Sequence, residues 1–454
     1  MKSASSISFP MGIDLTARIR ALLLGKPALG NFLWLASDRG IRMVLQMVVG
    51  AWSARYLGTD NFGLLNFAMP IIAIFSVICP LGMEGLAVRQ IILEPSAAGC
   101  WLGTVIGFRA IAATLFAILA AISSVVIRPG DGASLMITII FAAGMAFQSL
   151  ESGELYFQAR TEMRRLIVPR LSICFLINLV KVGFILSGMS VFWFAFLTAA
   201  EQAFSGFVTV YVLRRALGTD HKLRFDFSRG LRLLRECWPL IISALTVIIY
   251  MKSAQLVLNS RMSNRQLGIY AAAIRIPESL GFLPAILASS LLPGLLRSYA
   301  LGSAAYESAL LRYIRVNALV AYACCLPISL FAYALIRVLF GSDYHDASPI
   351  MMVYIWYLLF AFLGVARAQH LLNLRLTRIS LLFSVVGLIC NLGLNLWLIN
   401  LHGALGSAYA TVLSQAISAV FVTILLPITR PVGRLQLLAM LTPWRAFSRP
   451  KSAA

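Results

Sequence analysis

Charge is scarce in this chain. Of 454 residues only 12% are Asp, Glu, Lys or Arg, and the acids are the rarer kind, 17 against 38 Lys and Arg. A chain so poor in charge, 60% hydrophobic and with a mean hydropathy of +0.86, is not composed like a soluble protein. Four histidines stand scattered at 221, 345, 370 and 402, with no His-Glu-x-x-His pair to suggest a metalloenzyme. The seven cysteines show no Cys-x-x-Cys spacing and mostly lie inside apolar runs. They read as small core residues, with neither disulfide nor metal. No Gly-x-x-x-x-Gly-Lys loop is present, so the chain carries no nucleotide-hydrolysing site of that kind. Long polar segments are also missing, which leaves no room for a soluble domain.

What fills the chain is a succession of apolar runs. About 20 residues at ~1.5 Å each cross a ~30 Å hydrocarbon core. Twelve spans are expected: 31–54, 64–88, 101–127, 134–159, 167–187, 190–213, 237–258, 267–296, 313–339, 349–371, 379–400 and 402–427. The implied fold class is an all-α polytopic membrane protein. The basic segment 214–236 divides it into an N-terminal six-helix bundle, 31–213, and a C-terminal one, 237–427. Residues 1–30 read as a cytoplasmic, partly interfacial lead-in rather than a signal peptide, and 428–454 as a basic cytoplasmic tail. Within the linker, Phe227, Leu231, Leu234 and Trp238 share one helix face, opposite Arg229, Arg232 and Arg235. That pattern suits either a helix lying on the inner leaflet or a plain solvated linker.

Alternate connecting segments differ sharply in basic residues. Twenty-six Lys and Arg fall on the side of the amino terminus; five, Arg55, Arg128, Arg261, Arg265 and Arg337, fall on the other. Positive residues stay on the cytoplasmic side, so both termini are expected there. The net charge of +21 then faces anionic inner-membrane lipid, and no nucleic-acid partner is called for.

The two halves carry a faint repeat. Arg55 is followed by Phe62-Gly63-Leu64, and Arg261 by Leu267-Gly268-Ile269. Pro70 and Pro80 follow the first glycine; Pro277 and Pro284 follow the second. Proline frees a carbonyl in a helix, and broken membrane helices are accepted where they line a cavity. Charges inside the spans point to the same place. The cations are Arg39, Arg42, Arg109, Lys181, Lys252, Arg275 and Arg367; the acids are Asp38, Glu84, Glu151, Glu154, Glu201 and Glu278. Each costs roughly 2.5–3.5 kcal/mol at mid-bilayer unless it is paired or faces water. Asp38 and Arg42, four apart, share a helix face and can pair. Arg275 with Glu278 is a second candidate pair. Lys181 and Glu201 lie at neighbouring depths on two arms of a hairpin. Static pairing and the wall of a translocation path are both open readings of these charges. Trp34, Trp52, Trp101, Trp193, Trp238 and Trp397 fall near span ends, where interfacial anchoring is expected.

The run Ala54-Arg-Tyr-Leu-Gly-Thr-Asp-Asn-Phe-Gly-Leu-Leu-Asn-Phe-Ala68, then Leu81-Gly-Met-Glu-Gly-Leu-Ala-Val-Arg89, resembles the amino-terminal signature of the polysaccharide-biosynthesis flippases of the Wzx or O-antigen type. Tyr156-Phe-Gln-Ala-Arg-Thr-Glu-Met163 resembles a second segment of that family. These flippases belong to the multidrug/oligosaccharidyl-lipid/polysaccharide (MOP) exporter superfamily. The resemblance implies a MATE-like arrangement of two six-helix bundles around a central cavity in the bacterial inner membrane. It implies translocation of an undecaprenyl-pyrophosphate-linked oligosaccharide, for O-antigen, capsule or exopolysaccharide, to the periplasmic leaflet. Alternating access coupled to an H+ or Na+ gradient is implied, with no other cofactor. A polysaccharide polymerase and a chain-length regulator are the protein partners that such a role suggests.

No bond is broken in such a process, so no catalytic residue is expected. An anionic head group calls for cations at depth, and Arg forks around two phosphate oxygens where Lys acts as a point charge. Arg42, Arg109, Lys181, Lys252 and Arg275 are the substrate-binding candidates, although Lys181 can also snorkel to the periplasmic face. Asp38 is the candidate for the coupling ion, and Glu151 and Glu154 are candidates for gating. Arg367 reads as topogenic. One alternative is a multidrug or other exporter of the same superfamily, which would want an acidic cavity. The other is a membrane polysaccharide polymerase or ligase. Its chemistry would need a larger outer segment than the short one carrying Asp343, His345 and Asp346.

Overall fold

The computed structural model describes residues 26–218, 223–299, 302–374 and 376–447. Within them every regular element is a helix. The lead-in before Lys26 and the end of the tail lie outside the described residues.

The first half contains α1 (Lys26–Ile78), α2 (Glu84–Leu93), α3 (Ala98–Ile127), α4 (Gly132–Phe147), α5 (Glu154–Arg160), α6 (Arg164–Leu186) and α7 (Val191–Leu217). The second contains α8 (Phe227–Arg261), α9 (Asn264–Ser279), α10 (Leu283–Tyr299), α11 (Ser303–Leu330), α12 (Ala332–Leu339), α13 (Ala347–Tyr354), α14 (Tyr357–Asn373), α15 (Thr377–Ala416), α16 (Val422–Leu425) and α17 (Arg430–Leu441). The two bundles flank a central cavity. Large apolar side chains such as Ile111, Leu179 and Trp397 stand exposed on the outside, as a surface facing lipid requires.

Nine helices among the described residues are long and apolar enough to cross a membrane, or ten with the bent α8. The shortfall from the expected twelve falls in two elements. Ser37–Ile78 has 42 residues and Leu382–Leu425 has 44, each roughly twice what one crossing needs. Each is kinked at a glycine of positive φ, Gly58 at 72° and Gly403 at 57°, a backbone that glycine adopts freely. The sequence reading placed a boundary between spans near both points.

The paired proline breaks also resolve differently from expectation. Pro70 and Pro277 remain inside α1 and α9. The chain breaks only near the second proline of each pair. After α1 it turns through Pro80, with Leu81 and Gly82 in the left-handed region. Between α9 and α10 it breaks just before Pro284.

The linker is shorter than 214–236. Asp226 caps α8 by accepting from Arg229 N at 3.1 Å, so the amphipathic stretch forms the first turns of α8. It packs on the first bundle: Phe225 and Phe227 stack on Phe108 at 5.7 and 5.5 Å. Arg229 sits 4.9 Å from the Trp101 ring. Trp101, expected at the interface, is buried and donates to Glu94 Oε2 at 3.1 Å. A bend of 51° then separates Phe227–Pro239 from Ala244–Arg261.

Asp131 caps α4 in the same manner, accepting from Ser134 N at 3.1 Å and Ser134 Oγ at 2.6 Å. Burial pushes this carboxyl up, but the Ser134 bonds and Arg128 outweigh it and hold Asp131 below the ordinary carboxylate range.

The bundles meet at the glycines of the repeat. A Cβ on Gly63 would lie 1.7 Å from Asn264 O, and one on Gly268 2.0 Å from Thr59 O. Backbone therefore touches backbone where the two halves correspond.

Candidate functional site

A chamber of about 610 Å³ lies between the bundles. From the first half, α1 contributes Met43, Gln46 and Gly50, α6 contributes Lys181, and α7 contributes Glu201. From the second, α8 contributes Lys252 and Gln255, and α9 contributes Arg275 and Glu278. Three cations thus face two carboxylates.

Their pairing is uneven. Lys252 Nζ donates to both oxygens of Glu278, at 3.1 and 3.2 Å, and Gln255 Nε2 reaches the same carboxylate at 3.3 Å. Lys181 Nζ stands 3.6 Å from Glu201, whose other oxygen is 3.7 Å from Arg42 Nη1. Arg42 Nε donates to Asp38 at 2.9 Å. Arg275 has a different kind of partner. Its Nη2 donates to the Gln46 carbonyl at 2.9 Å, across the gap between the bundles, and its guanidinium stands 5.8 Å from the Phe62 ring. It makes no ion pair among the described residues. Gly50 makes its seat, since a Cβ there would lie 2.1 Å from Arg275 Nη2.

The chamber therefore holds one cation more than its carboxylates neutralise, on a side chain whose fork suits two oxygens of an anion at once. The sequence profile of the family described as "Polysaccharide biosynthesis protein" matches residues 28–298. The chain belongs to this family. A search of curated proteins finds no match. Solved structures share its fold at low identity. A lipid II flippase MurJ in an inward closed conformation is 14% identical, with a TM-score of 0.70 over 91% of this chain and 92% of that one. An inward-facing multidrug resistance MATE family transporter of the MOP superfamily is 17% identical, with a TM-score of 0.68 over 90% and 99%. An outward-facing transporter of the same description gives 0.58 at 16% identity, over 93% and 98%. The neighbours are transporters, and the likeness is greater to the inward states.

In this member of the polysaccharide biosynthesis family, the candidates from sequence separate into three groups. Lys181, Lys252 and Arg275 line the central chamber. Arg42 and Asp38 form a pair one turn away on α1 and reach it through Glu201. Arg109 lies elsewhere. It lines a second cavity of about 200 Å³ inside the first bundle, with Arg39, Glu84, Gln148, Glu151, Glu154 and Gln158. Its Nε donates to the carbonyl of Pro80 at 3.2 Å and its Nη1 to Ser152 Oγ at 3.0 Å.

Glu151 and Glu154 both meet Arg170, each at 2.8 Å, and Arg170 Nε donates to Ser205 Oγ at 3.0 Å. Arg170 is itself buried, within α6. The proposed Arg275–Glu278 pair is replaced by Lys252–Glu278, because Arg275 points to α1 instead. Arg367 is buried rather than topogenic: Nη1 donates to Ser418 O at 2.5 Å, Ala419 O at 3.2 Å and Thr423 Oγ1 at 2.9 Å. The two carbonyls belong to a π-helical turn, Ile417–Phe421, which no sequence pattern announced.

Proposed function

We propose that the protein is a flippase that carries an undecaprenyl-pyrophosphate-linked oligosaccharide from the cytoplasmic to the periplasmic leaflet by alternating access. The observation that carries this reading is Arg275, an arginine in an inter-bundle chamber that makes no ion pair among the described residues and leaves the chamber with three cations to two carboxylates. The membership of a polysaccharide biosynthesis family and the fold shared with a lipid II flippase support it. A multidrug exporter, which takes up organic cations, would be poorly served by a chamber with three cations and two acids.

On this reading the basic side is cytoplasmic, both termini lie there, and the membrane is the bacterial inner membrane. The pyrophosphate meets Arg275 first and draws on Lys181 and Lys252 as their carboxylates reorient. Asp38, paired with Arg42 on α1, is the place where a coupling cation would act. Arg109, with Glu151 and Glu154, would act beside the chamber, at the basic end of the first bundle.

Reconstituted vesicles loaded with undecaprenyl-pyrophosphate-linked oligosaccharide provide the test. Arg275→Ala is expected to lower the rate of appearance in the outer leaflet at least ~10-fold, worth ~1.4 kcal/mol, at normal yield of folded protein. Arg275→Lys is expected to recover part of it. Unchanged transport in Arg275→Ala would remove the observation on which the reading stands.

A further inference from the structure

The hydrogen bonds between the bundles gather on the side that carries few basic residues, and two of the arginines found there make most of them. Arg55 follows α1's first crossing. Its Nη2 donates to the carbonyl of Arg337 at 2.9 Å and, more closely, to that of Val338. Both carbonyls lie in the last turn of α12. Arg128 ends α3. Its Nε donates to Asn259 O at 3.0 Å, its Nη2 to Met262 O at 2.6 Å, and its Nη1 to Asn264 Oδ1. These acceptors lie at the end of α8 and the start of α9. Each arginine thus reaches from the first bundle to a helix end of the second.

The chemistry suits a reversible closure. The last carbonyls of a helix lack intrahelical partners and carry the negative end of its dipole. A guanidinium offers several donors in a fixed fork, so one side chain reaches two or three acceptors at a helix end at once. When the bundles part, carbonyls and guanidinium alike gain water, and no buried carboxylate is left bare. Arg128 is kept in aim by Asp131 at 3.6 Å and by the Phe67 ring at 4.7 Å. Around the two arginines the seam is closed by Tyr344 Oη, which donates to Ala54 O at 2.8 Å, and by the contact of Gly63 with Gly268.

We propose that Arg55 and Arg128 are gate-positioning residues: they latch the charge-poor end of the chamber shut by capping helix ends of the opposite bundle, and their release is part of the transport step. This gives a physical reason for arginine on a side where the distribution of charge disfavours it. The proposal rests on the alternating-access reading above, but its test needs no substrate and so stands or fails apart from the identity of the cargo.

Asn66 lines the chamber. In an Asn66→Cys background, a membrane-impermeant maleimide is applied to the charge-poor face. Native Cys325, fully buried, reports unfolding, and the parent without the new cysteine gives the blank. The double variant Arg55→Ala, Arg128→Ala is expected to raise labelling at position 66 at least ~10-fold while Cys325 stays silent. No rise in labelling, with Cys325 silent, overturns the proposal. If Cys325 also reacts, the double variant has unfolded. The single variants Arg55→Lys and Arg128→Lys, which keep charge and lose the fork, then decide: a rise of a few fold in each supports the latch, and none overturns it.

Discussion

The two bundles share an architecture and differ in what fills them. The first is held by charge. Arg170 grips Glu151 and Glu154, Arg109 stands 3.5 Å from Glu84, and Asp38, Arg42, Glu201 and Lys181 form a continuous chain. The second carries Lys252, Glu278 and Arg275 at the chamber, but behind them its interior is held mainly by amides and hydroxyls. Ser253 Oγ donates to Asn391 Oδ1 at 2.6 Å, Asn391 Nδ2 to Ser414 Oγ at 2.8 Å, Asn395 Nδ2 to Asn391 Oδ1 at 3.0 Å, and Ser407 Oγ to Asn395 Oδ1 at 2.9 Å. Its buried Arg367 is met by carbonyls and a threonine hydroxyl. A charged network rearranges when one member gains a proton or a counter-ion; a closed amide–hydroxyl network has little reason to. The contrast is between a first bundle braced by ion pairs throughout and a second whose charges lie mainly at the chamber wall.

The strongest way to break this contrast is Arg170→Leu. It leaves two glutamates facing one another without their partner, at a cost of ~3–5 kcal/mol. Thermal unfolding in detergent should fall steeply, and adding Glu151→Gln with Glu154→Gln should restore most of the loss. A single variant as stable as its parent would show that the charges of the first bundle hold nothing together. Next comes Asn395→Leu, which removes the donor to Asn391 and the acceptor of Ser407. A loss of ~1–3 kcal/mol is expected, and it should be the same at pH 5 and pH 8. A loss that varied with pH would mean that the second bundle titrates after all. The smallest effect belongs to Glu201→Gln. Its two cationic neighbours keep 15% and 22% of their side-chain surface exposed in the chamber, so solvent screens the pair and the stability change should stay within ~1 kcal/mol. Transport should nevertheless change, because Arg42 and Lys181 lose their shared partner. An unaltered rate would sharpen the contrast by confining the response to Asp38 and Arg42.

The sequence showed as much as its short-range rules can reach. Asp38 with Arg42 is a spacing of four on one helix, and the pair forms. Lys181 with Glu201 follows from a tight hairpin, and they approach. The helical class follows from the apolar runs. What stayed hidden depends on contacts between distant segments. Arg275 and Glu278 looked like partners because they are three apart, yet Arg275 is seated by Gly50 on another helix and Glu278 by Lys252. Arg109 shares the hydropathic setting of the chamber cations but sits in a different cavity. Arg55 and Arg128 were legible only as exceptions to a charge count. A cation on the disfavoured side needs a local reason to be there, and for these two it is the helix ends of the opposite bundle.

The meeting of Gly63 with Gly268 has a consequence for how such a transporter could diversify. The two halves touch there through main-chain atoms, so the contact point depends on the absence of side chains rather than on a matched set of them. Phe62 and Leu267, the residues beside these two glycines, line the chamber, so the same short stretches set both the closeness of the seam and the shape of the chamber wall.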